Sequence, residues 1–233
     1  MINGHEYIDL GLPSGTLWAK CNVGANSETD YGLYFAWGET AGYTASQVGT
    51  DKQFSWSDYK FGGTSSNPTK YNSTDGKTVL DLEDDAAHVN MGGDWHMPNR
   101  AQCIELFQET KNGFVTNAGV FTQYAWDNTN SYLNPTETTV TISNWDTTGY
   151  FFFNSNVSDI NAAITSGDYL FIPAAGNCNY GEIYSANSGG YVYTSDLNSE
   201  NIESALDFYF LSRKVEFFGN GRCQGFSVRG VVG

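Results

Sequence analysis

Hydrophobic and polar positions alternate in short runs along much of the chain. The pattern is clearest after residue 176, where 190–195, 205–211, 215–218 and 226–232 read as strands separated by Gly/Asn/Ser turns. Residues 149–153 and 168–172 are aromatic-rich strand candidates, the second closed by Pro173. Helical periodicity occurs twice. Over 99–110, Cys103, Leu106 and Phe107 form an i, i+3, i+4 stripe, and Asn99 with Gln102 forms a capping box after Pro98. Over 82–90 a second short helix is predicted, with Glu83, Asp84 and Asp85 in its first turn and Gly92-Gly93 at its end.

Two stretches break this rhythm. Residues 41–78, rich in Gly, Ser, Thr and Asn, read as a long decorated loop whose Trp56, Tyr59, Phe61 and Tyr71 require burial. Residues 113–148, rich in Asn and Thr, read as an insertion with scattered strand signals such as 138–143. There is no tandem repeat, and 1–233 reads as a single domain.

Composition sharpens this picture. The chain of 233 residues can bury enough surface to fold without disulfides or metals. Its net charge of −15 argues against a nucleic-acid partner, since phosphates would be repelled. Charged residues make up 16% and aromatics 15%, so the surface is built from uncharged polar groups and aromatics, a mixture suited to contact surfaces. No apolar run is long enough to span a membrane, and no signal peptide is visible, so either a leader has been trimmed away or an extracellular-facing protein leaves by another route, such as release of phage virions by lysis. The cysteines Cys21, Cys103, Cys178 and Cys223 show no CxxC or zinc spacing and read mainly as buried or free thiols, although two disulfides would be open to a secreted protein. The histidines His5, His88 and His96 are isolated and read as structural. No Gly-x-Ser-x-Gly elbow or phosphate loop occurs, and three consecutive carboxylates on a helix splay too widely to face one Ca²⁺, so no metal or cofactor is expected.

Several motifs carry a resemblance. They are Tyr7-Ile8-Asp9-Leu10-Gly11-Leu12-Pro13-Ser14-Gly15-Thr16-Leu17-Trp18-Ala19, Cys21-Asn22-Val23-Gly24-Ala25 and Tyr34-Phe35-Ala36-Trp37-Gly38-Glu39-Thr40. Asp84-Asp85-Ala86-Ala87, Gly92-Gly93-Asp94-Trp95-His96-Met97-Pro98, Phe171-Ile172-Pro173-Ala174-Ala175-Gly176 and Ser227-Val228-Arg229 complete the set. Together they resemble the Fibrobacter succinogenes major paralogous domain family of gut Bacteroidetes and their phages. The resemblance implies an α+β, C-type lectin-like domain in the branch of the formylglycine-generating enzymes, with two short helices on a small twisted antiparallel sheet. It also makes Trp18, Trp37 and Trp95 core residues.

Residues 205–229 further resemble the C-terminal segment of variable proteins of diversity-generating retroelements. In that likeness Ala205, Phe208, Phe210, Ser212, Val215, Gly221, Arg222, Gly225, Ser227, Val228 and Arg229 are framework. Leu206, Asp207, Tyr209, Leu211, Arg213, Lys214, Glu216, Phe217, Phe218, Asn220, Cys223, Gln224 and Phe226 form a variable ligand-binding surface of mixed chemistry. Strand periodicity supports unusual two-sidedness: Leu206, Phe208 and Phe210 share one face and Asp207, Tyr209 and Leu211 the other, so large apolar groups lie on both. The implied function is a non-catalytic, receptor-binding or adhesin-like module for a protein or glycan on another cell. The alternatives are a non-diversified structural or surface module and a formylglycine-generating-type enzyme using Cys178 and Cys223. The Glu-Pro-Asn and Gln-Pro-Asp triplets of calcium-dependent lectins are absent, and Asn144-Trp145-Asp146 has the wrong order for their Trp-Asn-Asp element.

Overall fold

The computed structural model describes residues 1–62, 64–127 and 132–233; positions 63 and 128–131, inside the two stretches read as loop and insertion, lie outside the described residues. Strands β1 (Tyr7–Ile8), β2 (Leu17–Ala19) and β3 (Tyr34–Phe35) precede helices α1 (Ala86–Met91) and α2 (Arg100–Glu109). Then come β4 (Thr110–Val115), β5 (Val120–Asp127), β6 (Tyr132–Thr141), β7 (Gly149–Asn154) and α3 (Ile160–Ser166). The chain continues through β8 (Leu170–Pro173), β9 (Asn177–Asn179), β10 (Glu182–Tyr184) and β11 (Gly189–Leu197). It ends in β12 (Ser204–Leu211), β13 (Lys214–Gly221), β14 (Phe226–Ser227) and β15 (Val231–Val232).

Ten strands join in one sheet, in the order β3-β14-β11-β12-β13-β6-β5-β4-β7-β8, which curls into a half-barrel. A three-stranded sheet β1-β2-β15 brings the two ends of the chain together. This architecture overturns the expected α+β, C-type lectin-like domain with two short helices on a small sheet: strands take 37% of the chain and helices 14%. The physical reason lies in 113–148. Its Thr and Asn suggest loop, but Thr is β-branched and suits a pleated surface, and the stretch supplies the end of β4 together with β5 and β6. These strands connect β13 to β4 and so fuse what would otherwise be two smaller sheets, with Val215 opposite Leu133 at the joint.

The core lies on both sides of this sheet. On one side α2 packs Leu106 and Phe107 against Tyr150, Phe152, Phe208 and Phe210. On the other side of β7, Phe151 and Phe153 meet Phe171, Trp145 and α3. A strand covered on both faces needs an unbroken apolar run, and Tyr150-Phe151-Phe152-Phe153 is one. Of the aromatics of 41–78 expected inside, Tyr59, Phe61 and Tyr71 are buried and, with Phe54, join Tyr34, Trp37, Trp95, Tyr193 and Phe226 in a third cluster, whereas Trp56 is only half-buried against its edge. Trp18, Trp37 and Trp95 are all fully buried.

Local signals hold for α2, where the side chain of Asn99 accepts from the Gln102 backbone N–H and that of Gln102 from the Asn99 N–H. The helix expected over 82–90 is instead divided. Leu82–Asp84 form a 3₁₀ turn, and Asp85 leaves the helical region to cap α1, accepting from the backbone of His88 and of Met97. Helix α3 carries a start signal that composition hid: Asp159 accepts from the Ala162 backbone N–H, and Gly167 ends the helix in the left-handed region.

Candidate functional site

Strands β11, β12 and β13 form an antiparallel ribbon whose register decides which side chains share a face. Tyr191 lies opposite Tyr209, Tyr209 opposite Glu216, Leu211 opposite Lys214, and Asp207 opposite Phe218. Directly opposed residues point to the same side. These residues therefore form one face, while Phe208, Phe210, Val215 and Phe217 form the other. The latter is the α2 side, where Phe208, Phe210 and Val215 are fully buried. Gly190 lets this pair of strands close: a Cβ there would lie 2.3 Å from the Phe210 ring.

The face turned away from α2 carries a ladder of rings whose inner end, Tyr193 and Phe226, is fully buried. Phe226 stacks on Tyr193 with centroids 4.2 Å apart, and Tyr191 lies between Phe226 and Tyr209, stacked on the latter at 5.3 Å. Lys214 completes the ladder, its Nζ 5.5 Å from the Tyr209 centroid. The Tyr209 hydroxyl donates to Glu216, and Lys214 pairs with Glu216 at 2.7 Å. Burial pushes Glu216 up, but hydrogen bonds from Lys214 and Tyr209 outweigh it and hold this carboxylate below its ordinary range. Tyr209, Lys214 and Glu216 thus contact one another in the unbound protein, and such pre-organisation lowers the entropic cost of binding. Phe218, 57% exposed, stands beside the ladder without such support.

The thirteen residues expected to form the surface divide by placement. Tyr209, Leu211, Glu216 and Asn220 are half-exposed on the outer face, Lys214 and Phe218 are exposed there, and Arg213 is exposed at the β12–β13 turn. Gln224 is half-buried beyond β13, with its Oε1 buried and unpartnered. Three depart from an outward placement because other elements cover them. Asp207 is 1% exposed and accepts from Asn220 Nδ2 at 3.0 and 3.1 Å. Cys223 and Phe226 both lie in the buried aromatic cluster with Cys178 and Tyr193. Two more point to the opposite face. Phe217 packs on Phe107 and Trp126 at 5.5 and 5.9 Å, and Leu206 is half-buried on that same side. The expectation that Phe217 and Phe218 act together therefore fails on strand parity.

Tyr191 is the residue that sequence reading left out. Its signal was present, since Tyr191 and Tyr193 alternate within 190–195, but nothing local says that β11 lies beside β12.

The remaining candidate chemistry is dispersed. Burial pushes the thiols of Cys178 and Cys223 up to about 12, and all four cysteines are free. The Nδ1 of His88 and of His96 each contact a backbone carbonyl, of Trp95 and Asp94. Carboxylate oxygens of Asp81, Glu83 and Asp84 lie within 4.8 Å of one another, and the Lys70 ammonium binds all three, at 2.7, 3.2 and 2.5 Å. Lys60 adds a second ammonium on Asp84 at 2.6 Å. Among the described residues no helix is long and apolar enough to cross a membrane. No protein-family model, curated protein or solved structure matches the chain.

Proposed function

We propose that the chain is a non-catalytic ligand-binding module, receptor-binding or adhesin-like, that uses the outer face of β11–β13 to contact a protein or glycan on another cell. The observation that carries this reading is the separation of scaffold from surface on a single ribbon. Phe208, Phe210 and Val215 are sealed beneath α2, while Tyr209, Leu211, Lys214, Glu216 and Phe218 lie on the reverse side. Tyr is among the residue types that dominate binding energy at interfaces, and exposed aromatics such as Phe218 are enriched there. Such separability is also what the resemblance to variable proteins of diversity-generating retroelements requires, because outer residues can change without disturbing the core. The protonated, buried thiols of Cys178 and Cys223 favour this reading over a formylglycine-generating-type enzyme, which needs reactive thiolates.

The test is binding of the labelled protein to whole bacterial cells, followed by flow cytometry, for wild type and the Tyr209→Ser/Phe218→Ser variant. Loss of cell binding with an unchanged melting curve supports the reading. Unaltered binding by the double variant defeats it. A reverse-transcriptase gene beside this one, with a template repeat differing at adenines within codons for the outer residues, would support diversification independently.

A further inference from the structure

The β9–β10 hairpin turns through Tyr180 and Gly181, and both have positive φ, 47° and 78°. Two central residues of this kind are what a type I′ turn requires. Its first position ordinarily takes Asn, Asp or Gly, because a bulky side chain is strained in the left-handed region. Tyr180 occupies it here. Its side chain repays none of that strain within the molecule: it is 68% exposed and makes no hydrogen bond or ring contact among the described residues. Strained residues persist where their surroundings over-determine them, and they cluster at ligand sites.

Gly181 supplies the surroundings. Its N–H donates to the Gln53 carbonyl at 2.7 Å, and a Cβ on Gly49 would lie 2.6 Å from its carbonyl oxygen, so the tip is clamped on the 49–53 loop. Register assigns the rest of the hairpin. Glu182 pairs with Asn179, Ile183 with Cys178 and Tyr184 with Asn177. Cys178 is buried and Ile183 packs on the same aromatic cluster, so the other four side chains share the opposite face. Tyr184 is 51% exposed there. The side chains of Asn179, Glu182 and Tyr184 make no hydrogen bond, ion pair or ring contact among the described residues. No Lys or Arg occurs from 169 to 212.

We propose that this hairpin binds a neutral oligosaccharide. The rings of Tyr180 and Tyr184 cover the C–H faces of sugar units, and Asn179 and Glu182 bond hydroxyls between them. The two tyrosines are separated by a distance on the order of 10 Å, so the ligand is longer than one sugar ring. An acidic glycan would meet Glu182 and no cation. A protein interface takes roughly 20–30 residues a side, far more than the span Asn177–Tyr184 offers. The clamped tip presents Tyr180 before the ligand arrives, which lowers the ordering cost. The site is separate from the β11–β13 surface and holds whether or not Tyr209 and Phe218 contact anything.

The experiment is affinity electrophoresis of the full chain through gels containing dextran, β-glucan, xylan, galactomannan or α-mannan, with polygalacturonate as the acidic comparison. At least one neutral polysaccharide should retard the wild type. In a concentration series its Kd should rise about tenfold for Tyr184→Ser, the scale of one lost aromatic contact. Tyr180→Asn should weaken binding as much while keeping or raising the melting temperature, since Asn is a residue the turn favours. The Tyr209→Ser/Phe218→Ser variant should be retarded as wild type is, which separates failure of this site from failure of the β11–β13 face. Retardation by no neutral polysaccharide, retardation by polygalacturonate alone, or equal retardation of wild type and Tyr180→Asn overturns the proposal. A lower melting temperature in Tyr180→Asn, the mark of a structural role, also overturns it.

Discussion

Arg222 and Tyr59, 163 positions apart, meet in the interior, where the Arg222 Nε donates to the Tyr59 hydroxyl at 2.9 Å. The guanidinium lies 5.1 Å from the Trp37 centroid and 5.8 Å from that of Tyr71, and it donates to the carbonyls of Lys70, Tyr71 and Ile202. The stretch 41–78 is therefore the anchor of the C-terminal segment. It fixes where β13 ends and so where the outer face begins.

Replacing Arg222 with Met should cost at least about 3 kcal/mol, because several buried carbonyls lose their donor at once and each costs roughly 1–3. Lys should rescue little, since a point ammonium cannot reproduce the planar fork. Urea denaturation of both variants checks this; a loss under about 1 kcal/mol for Met would mean that the cage repacks.

Trp95 is fully buried, and its Nε1 donates to the Ile2 carbonyl at 3.0 Å. Trp95→Ala should cost about 3–5 kcal/mol through lost burial and the cavity left behind. The same denaturation experiment reads it.

On the β12–β13 ribbon, substitutions should follow face rather than sequence proximity. Phe208→Ala should cost about 3–5 kcal/mol, like other buried Phe truncations. Phe218→Ser should stay within about ±0.5 kcal/mol, as exposed positions do. Its neighbour Phe217→Ser should behave more like Phe208, given its packing on Phe107 and Trp126. Equal effects at 217 and 218 would contradict the assigned parity.

Asp207 is fully buried, and burial pushes its carboxyl well up, with Asn220 offsetting only part of the rise. An acid with a raised folded pKa binds protons more tightly when folded. Its contribution is most favourable below the unfolded pKa of about 3.9 and declines as pH rises from there through the raised folded value. Asp207→Asn should therefore raise the melting temperature at pH 7 relative to wild type, with the gap narrowing toward pH 4. Melting curves across that range test the sign, and a variant less stable at neutral pH would refute it.

The three-carboxylate group of Asp81, Glu83 and Asp84 is neutralised by Lys70 and Lys60. EDTA should leave the melting temperature unchanged, since an ion at 100 times its Kd would add about 2.7 kcal/mol and its removal would show. A drop restored by Ca²⁺ would mean that the ion displaces Lys70.

Sequence alone determined the pieces whose signals are local. The Asn99/Gln102 box starts α2, the aromatic run over 149–153 marks a strand, and alternation over 205–211 sorts Phe208 and Phe210 from Tyr209. Burial of Trp18, Trp37 and Trp95 followed from the motifs that carry the family resemblance, and all three are fully buried. Tertiary structure decided everything that depends on pairing between distant strands. The Asn/Thr-rich stretch became β5 and β6 because the edges of β4 and β13 had backbone hydrogen bonds to satisfy, a demand invisible in composition. Tyr191 entered the outer face only because β11 lies beside β12. Phe217 left it, and Asp207, Cys223 and Phe226 sank beneath it, because α2, Asn220 and the 41–78 aromatics cover them. Periodicity tells which residues share a face; only the packing of remote elements tells which face meets water.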